Sequence, residues 1–208
     1  AHVLVVGLGG VGSHAALALA RSGVGHLTLV DHDVVDPSNI NRQAIAFHST
    51  VGKKKTDLMR AWIKDIHERV TVRTFTLRYG SAARETVFDT PYDYVFDCVD
   101  SIPAKLDLIK ACKEKAIPII TSAGLGNRTD PTHVKTGDLF ALEGDPLARK
   151  LKRALRKEDI WHVQAVYSIE APLRRAGVAT PASCALVPPV GGYHGAAFIV
   201  RALLRQAD

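Results

Sequence analysis

The chain has 208 residues, 47% of them hydrophobic and 23% charged, which is ordinary globular usage and excludes disorder as a description of the whole. No run approaches 18 uncharged apolar residues, so nothing reads as a bilayer span. The net charge of +6 is lopsided: residues 1–100 hold 11 Lys/Arg against 11 Asp/Glu, and residues 101–208 hold 16 against 10. A one-sided positive charge raises the local concentration of a polyanion, with a solvated basic face as the plainer alternative.

Ala1 to Gly7 lacks a basic leader and runs straight into a glycine-rich loop, so it reads as a buried strand, not a signal peptide, and the start at Ala1 as that of a trimmed chain. Val3–Val6 is the first strand, apolar on both faces as parallel-sheet strands are. A helix follows over Ala15–Ser22, stopped by Gly23, then a strand over His26–Val30. Lys55–Arg69 reads as a helix and Val70–Phe75 as a strand; strands at Tyr94–Val99 and Ile117–Thr121 flank a helix at Lys105–Lys115. After Gly124 the rhythm changes to strands at Thr132–Phe140 and Val163–Ser168 with a basic helix between them. Pro188 to Gly192 reads as punctuation before a closing helix over Tyr193–Arg205. Strand–helix–strand repetition at this spacing predicts an α/β, Rossmann-like, mainly parallel sheet with helices on both faces, extended by a mixed or antiparallel C-terminal part. One domain over 1–208 is expected, with a nucleotide-binding half at 1–125 and a substrate-facing half at 126–208.

Cys98, Cys112 and Cys184 form no CxxC pair, and the nine histidines are scattered, so neither a disulfide framework nor a zinc site is expected. The chain reads as cytosolic and reduced. Cys98, on a strand, Cys112, on a helix, and Cys184 are all read as core or structural.

Gly7-Leu8-Gly9-Gly10-Val11-Gly12 fits GxGxxG between a strand and a helix. Gly7 permits the tight turn, Gly9 and Gly10 let backbone approach phosphate, and Gly12 lets helix pack on strand. Asp31 ends the second strand 19 residues beyond Gly12, where a carboxylate accepts ribose hydroxyls. No Walker-type loop occurs. The polar run from Asp31 through Asn39, Arg42 and Gln43, the helix start at Lys53-Lys54-Lys55 and the strand end at Asp97–Ser101 then bring Asn39, Arg42, Lys55 and Asp100 to one pocket. Two cations, an amide and a carboxylate suit a triphosphate with Mg²⁺ better than a nicotinamide diphosphate. A tight turn beside surface ion pairs is the plainer alternative.

This ordered set, with Ser38–Gln43, Val51–Lys55 and Asp97–Asp100, resembles the ThiF/MoeB-like fold of ubiquitin-activating enzymes. The resemblance implies ATP- and Mg²⁺-dependent adenylation of a carboxylate. It places Asp31 on the ribose, Asn39, Arg42 and Lys55 on the phosphates, and Asp100 on Mg²⁺, with Arg42, Lys55 and Asp100 the catalytic set. Thr121–Thr132, Gly137-Asp138-Leu139, Asp145-Pro146-Leu147, Val166–Glu170 and Val187–Gly191 are similar to segments of the tRNA threonylcarbamoyladenosine dehydratases, and the two CxxC pairs usual in the sulfur-carrier-activating branch do not occur. The implied reaction is dehydration of threonylcarbamoyladenosine in tRNA to its cyclic form, with release of AMP and pyrophosphate. A homodimer, and a cysteine desulfurase or sulfur-acceptor partner, are further implications; no membrane partner is expected. The family also carries an arginine-bearing helix ahead of the first strand, where the sequence given begins, and its glycine-rich step is replaced here by Asn127-Arg128.

Arg149, Lys150, Lys152, Arg153, Arg156 and Lys157 fall within nine residues, while Leu147, Leu151 and Leu155 recur at i, i+4, i+8. The leucine seam docks this helix and leaves its cations facing out, toward a nucleic-acid backbone. The alternative function is an adenylyltransferase for the C-terminus of a ubiquitin-like sulfur carrier; a non-catalytic nucleotide scaffold and a dehydrogenase fit fewer of these residues.

Overall fold

The computed structural model describes residues 1–173 and 182–207. In chain order the elements are β1 (His2–Val6), α1 (Gly12–Arg21), β2 (His26–Val30), α2 (Lys55–Ile66), β3 (Thr71–Phe75), a one-turn α3 (Arg84–Val87), β4 (Tyr94–Asp97), α4 (Ile102–Glu114), β5 (Ile119–Ser122), β6 (Val134–Asp138), α5 (Pro146–Lys157), β7 (Gln164–Ser168) and α6 (Val187–Ala207). The strands form one seven-stranded sheet in the order β3-β2-β1-β4-β5-β7-β6. All neighbours are parallel except β6, which returns along β7 with Val134 opposite Ser168 and Asp138 opposite Gln164. None of the described helices is long and apolar enough to cross a membrane.

The period-2 geometry of β1 explains its unbroken apolar run. Val3 and Val5 pack into one core with residues of α1, α2 and α6, whereas Leu4 and Val6 pack into a second with Ala104, Leu108 and Cys112 of α4 and the aromatic rings of Tyr79, Phe88 and Tyr92. A third apolar cluster seats Ala148, Leu151 and Leu155 of α5 against Ile109, Leu139 and Ala165.

Several boundaries differ from the sequence reading. Helix α1 starts at Gly12, not Ala15, because the last glycine of the loop is already helical, and α4 starts at Ile102 with Pro103 in its first turn. The reading of Pro188–Gly192 as punctuation is corrected: α6 runs unbroken from Val187. Proline is tolerated in a first turn, where amide hydrogens have no intrahelical partner. A Cβ at Gly192 would collide with the Val11 carbonyl, and one at Gly195 with the Phe96 ring, so these glycines let α6 lie close on α1 and the sheet.

Beneath the sheet's carboxyl end sits a buried ion pair. Asp97, the last residue of β4, accepts from Lys105 Nζ of α4 at 3.0 Å and from the Thr121 hydroxyl of β5, and its other oxygen accepts from Val99 N at 3.1 Å. The Asp97 and Lys105 side chains are 0% and 1% exposed. Removing one member strands a buried charge, so Lys105→Met should cost about 3–5 kcal/mol, and Asp97→Asn in the same chain should recover most of it. Urea denaturation of the single and double variants measures this; an unchanged midpoint in Lys105→Met would contradict it.

Candidate active site

Helix α1 leaves β1 for one face of the sheet and α4 leaves the adjacent β4 for the other. A doubly wound sheet opens a crevice at such a switch point, beyond the strand carboxyl ends. Here the crevice measures about 800 Å³, and Gly7, Gly9, Gly10, Asp31, Asn39, Arg42, Lys55 and Asp100 all line it. Gly12 lies beneath it, where a Cβ would collide with the Gly7 carbonyl. Gly7 has φ +93°, and a Cβ there would meet the Cys98 carbonyl oxygen at 2.8 Å. The loop therefore turns as tightly as backbone permits, between β1 and the end of β4.

Asp31 holds the loop from the other side. One carboxylate oxygen accepts from Leu8 N at 2.6 Å and the other from Asp33 N at 2.8 Å, with the residue 8% exposed. Ser13 donates to Gly9 O at 2.7 Å and accepts from Ala44 N at 3.1 Å, which fastens the loop to the polar segment after β2. His14 fastens the same segment: its Nε2 donates to Arg42 O at 3.1 Å. Burial lowers the His14 pKa, and the bond to the Arg42 carbonyl opposes that shift.

Within that segment a short 3₁₀ turn over Pro37–Asn39 is capped by Asp36, whose carboxyl accepts from Ser38 N and Ser38 Oγ and is held below its ordinary range by them. The turn buries Asn39 and places Arg42 over Gly10. Arg42 Nη1 is held at 2.8 Å from both Ser38 O and Asn41 Oδ1. Lys55, 3% exposed, donates to Asp33 Oδ2 at 2.9 Å. Asp100 follows β4 and is exposed. The four side chains thus come from three separate segments to one crevice.

The opposite wall was less legible. Ser122, Arg128, Asp145 and Lys150 also line the crevice. Asp145 caps α5 by accepting from Ala148 N at 2.7 Å, and Arg128 binds Asp145 at 3.1 Å with side-chain exposures of 2% and 3%. Arg128 also donates to Glu170 O and Gly126 O, so one guanidinium ties the basic helix to the end of β5 and the end of β7. Of the six predicted cations, Arg149, Lys150, Arg153, Arg156 and Lys157 are exposed. Lys152 is a correction: it turns back to donate to Leu142 O at 2.6 Å, because that carbonyl lies within its reach.

The cysteine readings are also adjusted. Cys112 is buried, but Cys98 lies just past β4 and lines the crevice, and Cys184 is half-buried with Sγ 3.8 Å from Arg128 O. Burial, reinforced by Asp97 and opposed by Lys105, pushes the Cys98 thiol well above its ordinary range. Asp33 and Gln43 were not singled out as site residues. Gln43 is 6% exposed, lines the crevice, and its Oε1 has no hydrogen-bond partner. Among the described residues nothing bonds to this buried oxygen, which leaves a desolvation cost in the free protein.

A glycine loop, a carboxylate at the end of β2 and a converging set of cations at a switch point define a doubly wound α/β protein with its crevice at the strand ends. The chain belongs to the ThiF family, whose model matches residues 1–160. It is 41% identical over 99% of its length to tRNA threonylcarbamoyladenosine dehydratase of Bacillus subtilis, covering 88% of that protein. It is 42% identical over 76% of its length to the Haemophilus influenzae protein of that name, of which it spans only 60%. Crystal structures of the Escherichia coli dehydratase in complex with AMP and with ATP superpose with a TM-score of 0.93 at 32% identity, over all of this chain and 87% of theirs.

Because Gln43 Oε1 gains nothing in the free protein, Gln43→Leu should leave stability within about 1 kcal/mol of the parent, or raise it. Nucleotide affinity should fall in the same variant. Thermal unfolding with and without ATP reads both, and a large loss of intrinsic stability would show that Gln43 is structural.

Proposed function

We propose that this chain uses ATP to adenylate the carboxylate of threonylcarbamoyladenosine in tRNA and closes it to the cyclic form, releasing AMP and pyrophosphate. The observation that carries this reading is that one crevice joins the glycine loop and its Asn39, Arg42, Lys55 and Asp100 set to Lys150 of the basic helix. The dehydratases to which the chain is similar support it.

The residues present fit the ligands. Only a side-chain-free loop lets backbone approach a phosphate, and the start of α1 adds unpaired N–H groups and a positive dipole end. Asp31, already ordered by two backbone amides, keeps lone pairs for ribose hydroxyls. Arg42 and Lys55 offset phosphoryl charge, Lys55 exchanging part of its bond to Asp33 for phosphate. Asp100 is a hard oxygen donor of the type Mg²⁺ takes, and a Mg²⁺ held there would offset the charge of the leaving pyrophosphate.

In the first half-reaction the substrate carboxylate oxygen bonds to the α-phosphorus and the bond to pyrophosphate breaks. In the second, a carbamoyl nitrogen of the same side chain attacks the activated carbonyl carbon, loses its proton to solvent and expels AMP. The ring closes with net loss of one water. Attack is intramolecular, so holding the substrate in a closed-up geometry supplies much of the rate, and no protein nucleophile is needed.

Residues 1–125 then handle the nucleotide and residues 126–208 face the tRNA, with Arg149, Lys150, Arg153, Arg156 and Lys157 on its phosphates. The enzyme acts where tRNA does, in the cytoplasm. Val34, Phe47 and Val51, all exposed on the connection between β2 and α2, are the apolar groups offered to a second copy, and sedimentation showing only monomer at micromolar concentration would remove the homodimer.

Arg42→Ala and Asp100→Ala should each slow AMP release on threonylcarbamoyladenosine-bearing tRNA by about 100-fold or more. Both should unfold at the parent temperature. Undiminished rates in both would contradict the assignment.

A further inference from the structure

The exposed cations of α5 form a stripe: Arg149, Arg153 and Arg156 recur at i, i+4, i+7, and Lys150, Arg153 and Lys157 at i, i+3, i+7. The stripe begins at the crevice, which Lys150 lines, and runs from Arg149 to Lys157 at the end of the helix, about 12 Å. At its far end stands an aromatic group. The Arg156 guanidinium lies 5.7 Å from the Phe140 ring centroid and 5.8 Å from that of Trp161, and the two rings are 5.5 Å apart.

Trp161 is presented outward rather than tucked in. It lies between buried Ile160 and buried Val163 yet is itself 47% exposed. The turn that carries it places two non-glycine residues, Asp159 and His162, in the left-handed region, at φ 52° and 61°. Asp159 ends α5 in a helix-closing turn, Ile160 N donating to Leu155 O at 3.0 Å and Asp159 N to Arg156 O at 3.3 Å, and both Asp159 and His162 are exposed. The indole is nevertheless fixed in place: its Nε1–H donates to Asp159 Oδ1 at 3.0 Å, and His162 is tied to Asp138 at 2.7 Å. The remaining carboxylate nearby, Glu158, is paired with Lys110 at 2.6 Å. A rigid half-exposed indole at the end of a cation stripe is what a single-stranded nucleic acid uses, its backbone following the charges and a base stacking on the ring.

We infer that Trp161, backed by Phe140 and Arg156, is a stacking platform for an unpaired base of the same tRNA loop whose modified adenosine enters the crevice, several nucleotides from the reacting centre. This rests on the tRNA reading above and adds a second, base-contacting site to it. Trp161 then sets which part of the RNA is bound, since a duplex offers phosphates to the stripe but no free base to the ring.

The chain has two tryptophans, so Trp62→Phe leaves Trp161 as the only indole reporter. An RNA hairpin with a single-stranded loop should quench its emission, and the same stem closed as a blunt duplex should not. In the otherwise unchanged protein, Trp161→Ala should weaken stem-loop binding about 5- to 150-fold, the range for loss of one stacked base, with the slope of log affinity against log salt unchanged. Arg153→Ala should instead reduce that slope by about one. Equal ATP affinity and circular dichroism in the variants establish that they are folded. Trp161→Ala binding within twofold of the parent, or equal quenching by polyglutamate, would overturn the platform while leaving the tRNA reading intact. Failure of the parent protein to bind either RNA would remove both.

Discussion

At the junction of β1, α1 and β4 three backbones lie closer than side chains allow. The first turn of α1 sits on the Gly7 carbonyl, and Gly7 sits on the carbonyl of Cys98, so both positions need hydrogen in place of Cβ. This approach sets where the crevice opens, because it brings the end of β4 beneath the glycine loop while α1 and α4 part to opposite faces. Asp31 then fixes the loop from β2 by accepting the Leu8 amide. The glycine-loop end of the crevice is thus defined almost wholly by main chain.

Two buried ion pairs place the groups that the main chain does not. Asp97, bonded to Lys105 and Thr121, caps the Val99 amide and so aims the short connection that carries Asp100. Arg128, bonded to Asp145 and to two carbonyls, sets the basic helix at the other wall. Both pairs are satisfied by additional hydrogen bonds, the condition under which a buried charge is tolerated. Each therefore acts as a locating pin, one for the connection that carries Asp100 and the other for the basic helix α5.

Much of this was legible in the sequence because local pattern and fold agreed. Apolar runs on both faces predicted the parallel strands, and the strand ends predicted that Asn39, Arg42, Lys55 and Asp100 meet. What was not legible came from packing between distant segments. Proline and glycine at 188–192 look like a break until one sees that the helix start tolerates proline and that α6 needs small residues to reach Phe96 and Val11. Lys152 carries the same charge as its neighbours, and only the position of the Leu142 carbonyl turns it inward. Asp33 is marked as the partner of Lys55 by no spacing, since the two meet across the segment between β2 and α2. Gln43 could have been found: it stands one residue from Arg42, and its burial without a partner is what distinguishes it.

The account turns on the chemistry performed at that crevice. Its most direct test is to incubate the protein with Mg-ATP and tRNA bearing threonylcarbamoyladenosine, digest the tRNA, and weigh the modified nucleoside. The account predicts a nucleoside lighter by one water, formed only with ATP and matched by one AMP per product. An unchanged nucleoside mass in the presence of bound ATP and bound tRNA would contradict it.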